Sequence, residues 1–192
     1  MATRNETAGR VTFVDLGAFD GASTRLYERI RDVEFAYLWE CHPDVAIKPP
    51  RCGHEVIRAA AWIDDGTTEF YQGERCGVVT QGSSLLKEKT TGWLDVDNPL
   101  TVETRDFSRW LAELPSEWPA VVKVNIEGAE YELLTYLYMA TTIRLPHEWH
   151  VSFHSAKVGR TRADDDGIRT MLFSSGYSEC PSPFPGCEGW KR

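Results

Sequence analysis

The most constraining stretch of the chain is residues 11–21. Val11-Thr12-Phe13-Val14 is a short apolar run that ends in Asp15 and passes directly into Leu16-Gly17-Ala18-Phe19-Asp20-Gly21. A run of this length that gives way to glycines predicts a buried strand entering a tight turn. Residues 22–32, with Leu26, Tyr27 and Ile30, carry the spacing of an amphipathic helix. The alternation then repeats. Apolar runs predict strands at 35–40, 54–62, 100–104, 120–126 and 147–153. Helices are predicted from an Asp106 cap to Leu114, over 128–138, and over 168–173 behind Asp164-Asp165-Asp166. Strands alternating with helices predict an α/β domain with a mostly parallel sheet and helices on both faces. Asp65-Gly66 is a hairpin signal, with residues 68–71 as the returning strand, so an antiparallel hairpin is expected beside the parallel strands. Residues 73–98 show no period and are expected to form a loop. Gly176-Tyr177 turns into a short strand, and the proline-rich residues 181–192 are expected to be irregular.

With 192 residues the chain has the length of one domain, expected over 1–192 with residues 1–10 as a flexible N-terminus. A net charge of -8 without any basic run argues against a nucleic-acid partner, whose phosphates call for a basic face. The five cysteines, Cys41, Cys52, Cys76, Cys180 and Cys187, form no C-x-x-C pair, which argues against structural zinc and for a reducing, cytoplasmic setting. Cys180 and Cys187 flank the proline-rich loop and could meet in space. The polar residues 1–9 contain no apolar signal core, and no apolar stretch has membrane length, so no membrane partner is expected.

Three groups of residues carry chemistry. The first is the turn after the first strand. Gly17 allows the backbone to approach a ligand closely, Gly21 eases entry into the helix, and Asp15 needs a polar or cationic partner. A nucleotide cofactor with a positive centre and no pyrophosphate suits such an acidic loop. The G-x-G-x-x-G spacing of dinucleotide sites is absent, which weakens an NAD-dependent oxidoreductase reading. The same stretch also fits an ordinary strand–turn–helix junction. The second is Glu40, placed to accept both hydroxyls of a ribose or simply to be solvated at a strand end. The third is Lys123-Val124-Asn125-Ile126-Glu127-Gly128-Ala129-Glu130, which faces the same crevice mouth. Its glutamates also suit the first turn of a helix.

Taken together these segments resemble the FkbM family of S-adenosylmethionine-dependent methyltransferases. The resemblance rests on residues 14–21, on Glu40-Cys41-His42-Pro43, on Val102-Glu103-Thr104-Arg105-Asp106, and on a K-x-D-x-E-G-A-E stretch matched by residues 123–130. His154 followed by Lys157-Val158-Gly159 matches a further mark, with His150 in a competing alignment. The resemblance spans roughly residues 11–177 and departs from the family at Asn125, where an aspartate is usual.

The resemblance implies a Rossmann-like class I methyltransferase fold and S-adenosyl-L-methionine as cofactor. Asp15 and Gly17, in a loop with Ala18 and Gly21, would contact its methionine part. Glu40 would contact the ribose, and Ala61 and Trp62 the adenine neighbourhood, with Asn125 at the same mouth. The implied activity is transfer of the methyl group to a hydroxyl oxygen of a small molecule, a sugar or another hydroxylated metabolite. Such an acceptor benefits from a base, for which His154 is the first choice and His150 the second, with Lys123 and Glu127 orienting the acceptor. Loss of the carboxylate at Asn125 favours a metal-independent reaction. It also motivates an alternative, a non-catalytic ligand-binding module on the same fold.

Overall fold

The computed structural model describes residues 9–48, 51, 53–114 and 117–192. Most of the N-terminal segment expected to be flexible, residues 1–8, lies outside the described residues, as does Cys52.

Seven strands form the main sheet: β1 (Val11–Leu16), β2 (Val33–Trp39), β3 (Glu55–Ile57), β9 (Ala120–Val124), β10 (Glu148–Ser152), β11 (Ser178–Cys180) and β12 (Cys187–Lys191), in the order β11-β12-β10-β9-β1-β2-β3. The strands from β10 to β3 in that order are parallel, and β12 runs antiparallel to both β10 and β11. The chain builds outward from β1 through β2 to β3 and returns to the other side of β1 as β9. Strand order therefore reverses between β1 and β9, where open sheets of this kind leave a crevice at the carboxyl ends of their strands.

Four helices cover the sheet: α1 (Ala22–Tyr27), α2 (Phe107–Ala112), α3 (Glu130–Met139) and α4 (Arg162–Ser174). The alternation of side chains along each strand divides the core in two. Val14, Leu16, Trp39, Val122, Val124 and Trp149 pack with residues of α2, α3 and α4. Phe13, Leu38 and Val121 pack on the opposite face with Tyr27 of α1 and with Phe184. Helices lie on both faces as expected, but α1 has six residues rather than the eleven predicted, and the loop carrying Phe184 helps cover that face. The Asp106 cap is present, its carboxylate accepting from the Arg109 amide.

Three expectations are corrected. The strand expected at 54–62 is two strands in different sheets, β3 and β4 (Ala60–Trp62). The expected hairpin at Asp65-Gly66 is not one: β4 and β5 (Gly66–Phe70) lie on either side of β8 (Leu100–Asp106), with β4 parallel and β5 antiparallel to it. Asp65 shows why, since its carboxylate accepts from the Asp106 amide and the Arg109 guanidinium rather than closing a two-residue turn. The tail is not irregular throughout, because β12 enters the sheet between β10 and β11 and buries Trp190 completely. Residues 71–98 form an arm that holds a small antiparallel pair, β6 (Glu74–Arg75) with β7 (Val78–Val79), and a bridge from Tyr71 to Ser84.

Candidate functional site

The carboxyl ends of β1, β2 and β9 are stitched together by backbone. The Gly17 and Ala18 amides both donate to the Trp39 carbonyl at 3.1 and 3.0 Å, and the Asn125 amide donates to the Leu16 carbonyl at 3.1 Å. Gly17 has φ +72, and a Cβ there would collide with the Asn125 carbonyl oxygen, so its glycine is required by the β9 backbone. Between these strand ends and the arm lies a cleft that opens to solvent. Gly17, Ala18, Phe19, Asp20, Trp39, Glu40, Lys123, Asn125, Ile126 and Glu127 line its floor, Ala59, Ala60, Ala61 and Phe70 one side, and Val79, Thr80, Gln81, Ser83 and Leu85 its roof.

Glu40 follows β2 and is only 8% exposed. One carboxylate oxygen accepts from the Phe19 amide at 2.9 Å and the other from the His42 amide at 2.8 Å. Burial raises its pKa, against the lowering effect of those two amides. Each oxygen keeps a second lone pair. Two fixed acceptor oxygens side by side on a cleft wall suit a pair of neighbouring hydroxyls. His42 also lines the cleft. Its Nδ1 accepts from the Asp44 amide, so its Nε2 carries the proton towards the Gln72 side-chain oxygen.

Lys123 and Asp15 form a buried ion pair at 2.8 Å. The ammonium also donates to the Gly17 carbonyl, and the other Asp15 oxygen accepts from the Thr24 hydroxyl at 2.9 Å. Lys123 reaches the cleft, but Asp15 is not among the lining residues. Its carboxylate serves the junction between β1, α1 and β9, which corrects the expectation that it touches the methionine part directly. Gly21, at the start of α1, and Trp62, at the end of β4, likewise fall outside the lining.

The most concentrated charge lies where β9 meets α3. One Glu127 oxygen faces His154 Nε2 at 3.3 Å, while the other faces Lys157 Nζ at 3.1 Å and Lys89 Nζ at 3.2 Å. On its far side His154 meets Glu130, with Nδ1 2.9 Å from a carboxylate oxygen that also accepts the His154 amide. Burial alone would suppress the imidazolium, but the bonds to Glu127 and Glu130 outweigh it and raise His154 to about 9. Burial would raise Glu127 too, but His154, Lys89 and Lys157 bring it down to about 2. Glu127 also has left-handed backbone, φ +55, a conformation that costs a non-glycine residue about 1–3 kcal/mol.

Neither histidine expected to act as a base lies on the cleft wall. His154 has both ring nitrogens engaged, by Glu127 and by Glu130, and sits behind Glu127. His150 is fully buried on the α1 face, where Nε2 bonds Glu148 at 2.8 Å and the ring packs against Tyr27 and Phe184.

The structure thus brings Gly17, Ala18, Glu40, Ala61, Lys123, Asn125 and Glu127 to one cleft and leaves Asp15, Gly21, Trp62, His150 and His154 off its wall. Phe70 and Lys89 carry no sequence signal of a site, and Phe19, Asp20 and His42 stand in the sequence only as members of motifs without a role of their own. The arm that supplies the roof is tied to the body by Lys89, which also donates to the Gly82 and Thr91 carbonyls, by the Ser84 hydroxyl to the Glu127 carbonyl, and by the Thr90 amide to the Lys157 carbonyl. Lys89 is 6% exposed. A lone lysine in an aperiodic stretch gives no sequence signal of such burial.

Among the described residues, no three His, Cys, Asp or Glu side chains gather as a metal site needs, and no helix is long and apolar enough to cross a membrane. No protein-family model, curated protein or solved structure matches the chain.

Proposed function

We propose that the cleft binds S-adenosyl-L-methionine and that the protein transfers its methyl group to a hydroxyl oxygen of a small molecule, a sugar or another hydroxylated metabolite. The observation that carries this reading is Glu40. It is a buried carboxylate at the end of the strand beside β1, held by two backbone amides, with one acceptor position left on each oxygen for the two hydroxyls of a ribose. Ala59, Ala60 and Ala61 give a flat, apolar neighbouring wall for an adenine ring. Of the carboxylates on the wall, Asp20 is paired with Arg25 and Glu127 with Lys89, Lys157 and His154, whereas Glu40 is held by backbone amides alone and keeps its charge for a ligand.

Methyl transfer from a sulfonium is an in-line displacement at an already activated carbon, so alignment and exclusion of water supply much of the rate. The arm provides a roof for both. Asn125, also on the wall, keeps hydrogen-bonding capacity without charge.

Thermal unfolding in the presence of S-adenosylmethionine, S-adenosylhomocysteine and NAD tests the reading. S-adenosylmethionine and S-adenosylhomocysteine should raise the melting temperature and NAD should not, because a ligand that binds only the folded state stabilises it. Glu40→Gln should abolish most of that shift. Stabilisation by NAD alone, or a shift unaffected by Glu40→Gln, would count against the assignment.

A further inference from the structure

We infer that Glu127 is the group that takes the proton from the acceptor hydroxyl, with His154 as the positioning residue that holds its carboxylate in place. The inference rests on the methyltransferase reading and identifies the base within that site.

The other ionisable groups on the cleft wall are already committed. Lys123 donates to Asp15 and Gly17, and the unprotonated nitrogen of His42 is occupied by the Asp44 amide. Glu40 holds two amides and is the ribose acceptor in the proposed complex. Asp20 is paired with Arg25 and its side chain is 48% exposed, so it is solvated at the mouth where that of Glu127 is enclosed, at 13%. A thiol, Cys41, is pushed well above its usual range by burial and by neighbouring Glu40.

Glu127 differs in three respects. It lines the cleft. Its backbone is in a left-handed conformation, its carboxylate meets Lys89 of the arm, and Gly128 behind it has φ +112 with Val158 packed where a Cβ would stand. Its carboxylate has about four acceptor positions. Lys89 and Lys157 take two on one oxygen and His154 takes one on the other, which leaves one on the His154 side.

The three cations keep Glu127 ionised across the physiological range, at the expense of basicity. A strong base is not required. As the hydroxyl oxygen forms its bond to the methyl carbon, the carbon–sulfur bond breaks with its electron pair left on sulfur, and the oxygen-bound proton becomes far more acidic than in the parent alcohol. That proton passes to Glu127, which becomes a neutral carboxyl group. The sulfonium charge and the carboxylate charge disappear together. The surrounding Lys89, Lys157 and His154 then disfavour the neutral carboxyl and return its proton to solvent. Glu130 sits behind His154 and keeps the imidazolium aimed at Glu127.

The test uses the full chain with labelled S-adenosylmethionine and a panel of monosaccharides and their methyl glycosides, read in single turnover. With ionised Glu127 as acceptor, the wild-type rate is level between about pH 5 and pH 8. With neutral His154 as acceptor, it would instead climb about tenfold per pH unit towards pH 9. Glu127→Gln should keep the melting-temperature rise given by S-adenosylhomocysteine and lose about 10²–10⁴-fold in rate, with partial rescue by Glu127→Asp. His154→Gln should lower the rate by less than about tenfold and leave the pH profile level. A climbing wild-type profile, or a Glu127→Gln variant within about twofold of wild type, overturns the inference. If Glu127→Gln does not fold, the wild-type pH profile decides alone. If S-adenosylhomocysteine gives the wild type no shift, the cofactor reading itself fails. Binding without methylation of any panel member overturns the Glu127 assignment and favours a binding module.

Discussion

Two buried histidines near β10 meet glutamates at similar distances and serve different ends. His154, just past the strand, is held between Glu127 and Glu130, with Lys89 and Lys157 on the far side of Glu127. His150, in the strand, bonds Glu148 through one nitrogen, while its other nitrogen has no hydrogen-bond partner among the described residues. Its ring lies edge-on to Phe184 at 5.1 Å and Tyr27 at 6.2 Å. The environment decides the outcome. Two carboxylates make an imidazolium that organises the cleft, whereas one carboxylate and two aromatic rings make a core ring with a polar edge. Proximity to a glutamate therefore does not by itself tell the two rings apart, whereas the number of nitrogens engaged does.

The largest expected effect comes from removing the carboxylate that only the His154 region has. Glu130 is fully buried, and besides His154 it accepts the Gly128 amide at 2.8 Å. Glu130→Ala should destabilise the fold by about 3–5 kcal/mol in urea unfolding, because it strands a buried cation and two amides. Glu148→Ala should cost less, since Glu148 stands at the start of β10 and its partners Arg31 and Lys191 reach solvent. Equal costs would break the comparison.

Next is the pH dependence of stability. The folded-state pKa of His154, about 9, lies above its unfolded value, so its contribution is fully present below about pH 6.5 and is lost as pH rises through 9. Glu127, lowered to about 2, contributes above about pH 4.5 and loses that contribution as pH falls towards 2. These are one interaction seen from two partners. Unfolding free energy should fall by about 2–3 kcal/mol between pH 6.5 and pH 9.5. The slope should vanish in His154→Gln and persist in a His150 variant. A slope that follows His150 instead would reverse the assignment of the charged ring.

The same contrast explains what was legible beforehand. Local signals survived folding: the apolar run of β1, the Asp106 cap, and the acid at Glu40 are each specified within a few residues. Features set by distant partners were not legible. Asp15 looks like a ligand-facing acid until Lys123, 108 residues away, supplies its counter-ion. The charge on His154 depends on carboxylates 24 and 27 positions earlier in the chain, at Glu130 and Glu127. The pairing of β4 and β5 is decided by β8, about 40 residues on, which separates them. β12 follows prolines and contains a glycine and two charged residues, so its sequence lacks strand character. It becomes a strand because β10 offers an unpaired edge and Trp190 fills the core beside Phe173.

The smallest expected effect is also the sharpest discriminator. His150→Phe keeps an aromatic ring among Tyr27 and Phe184 and removes a buried nitrogen that has no partner among the described residues. It loses one hydrogen bond to Glu148, whose other oxygen still faces Arg31 at 3.3 Å. A lost bond costs about 1 kcal/mol, and removing an unsatisfied polar atom offsets part of it, so the change in urea unfolding should stay within about 1 kcal/mol. His154→Phe makes the same chemical replacement but leaves Glu127 and Glu130 facing an apolar ring, and it should cost about 3 kcal/mol or more. If the two variants are equally destabilised, His150 is more than a packing ring, and the distinction between the two sides of β10 fails.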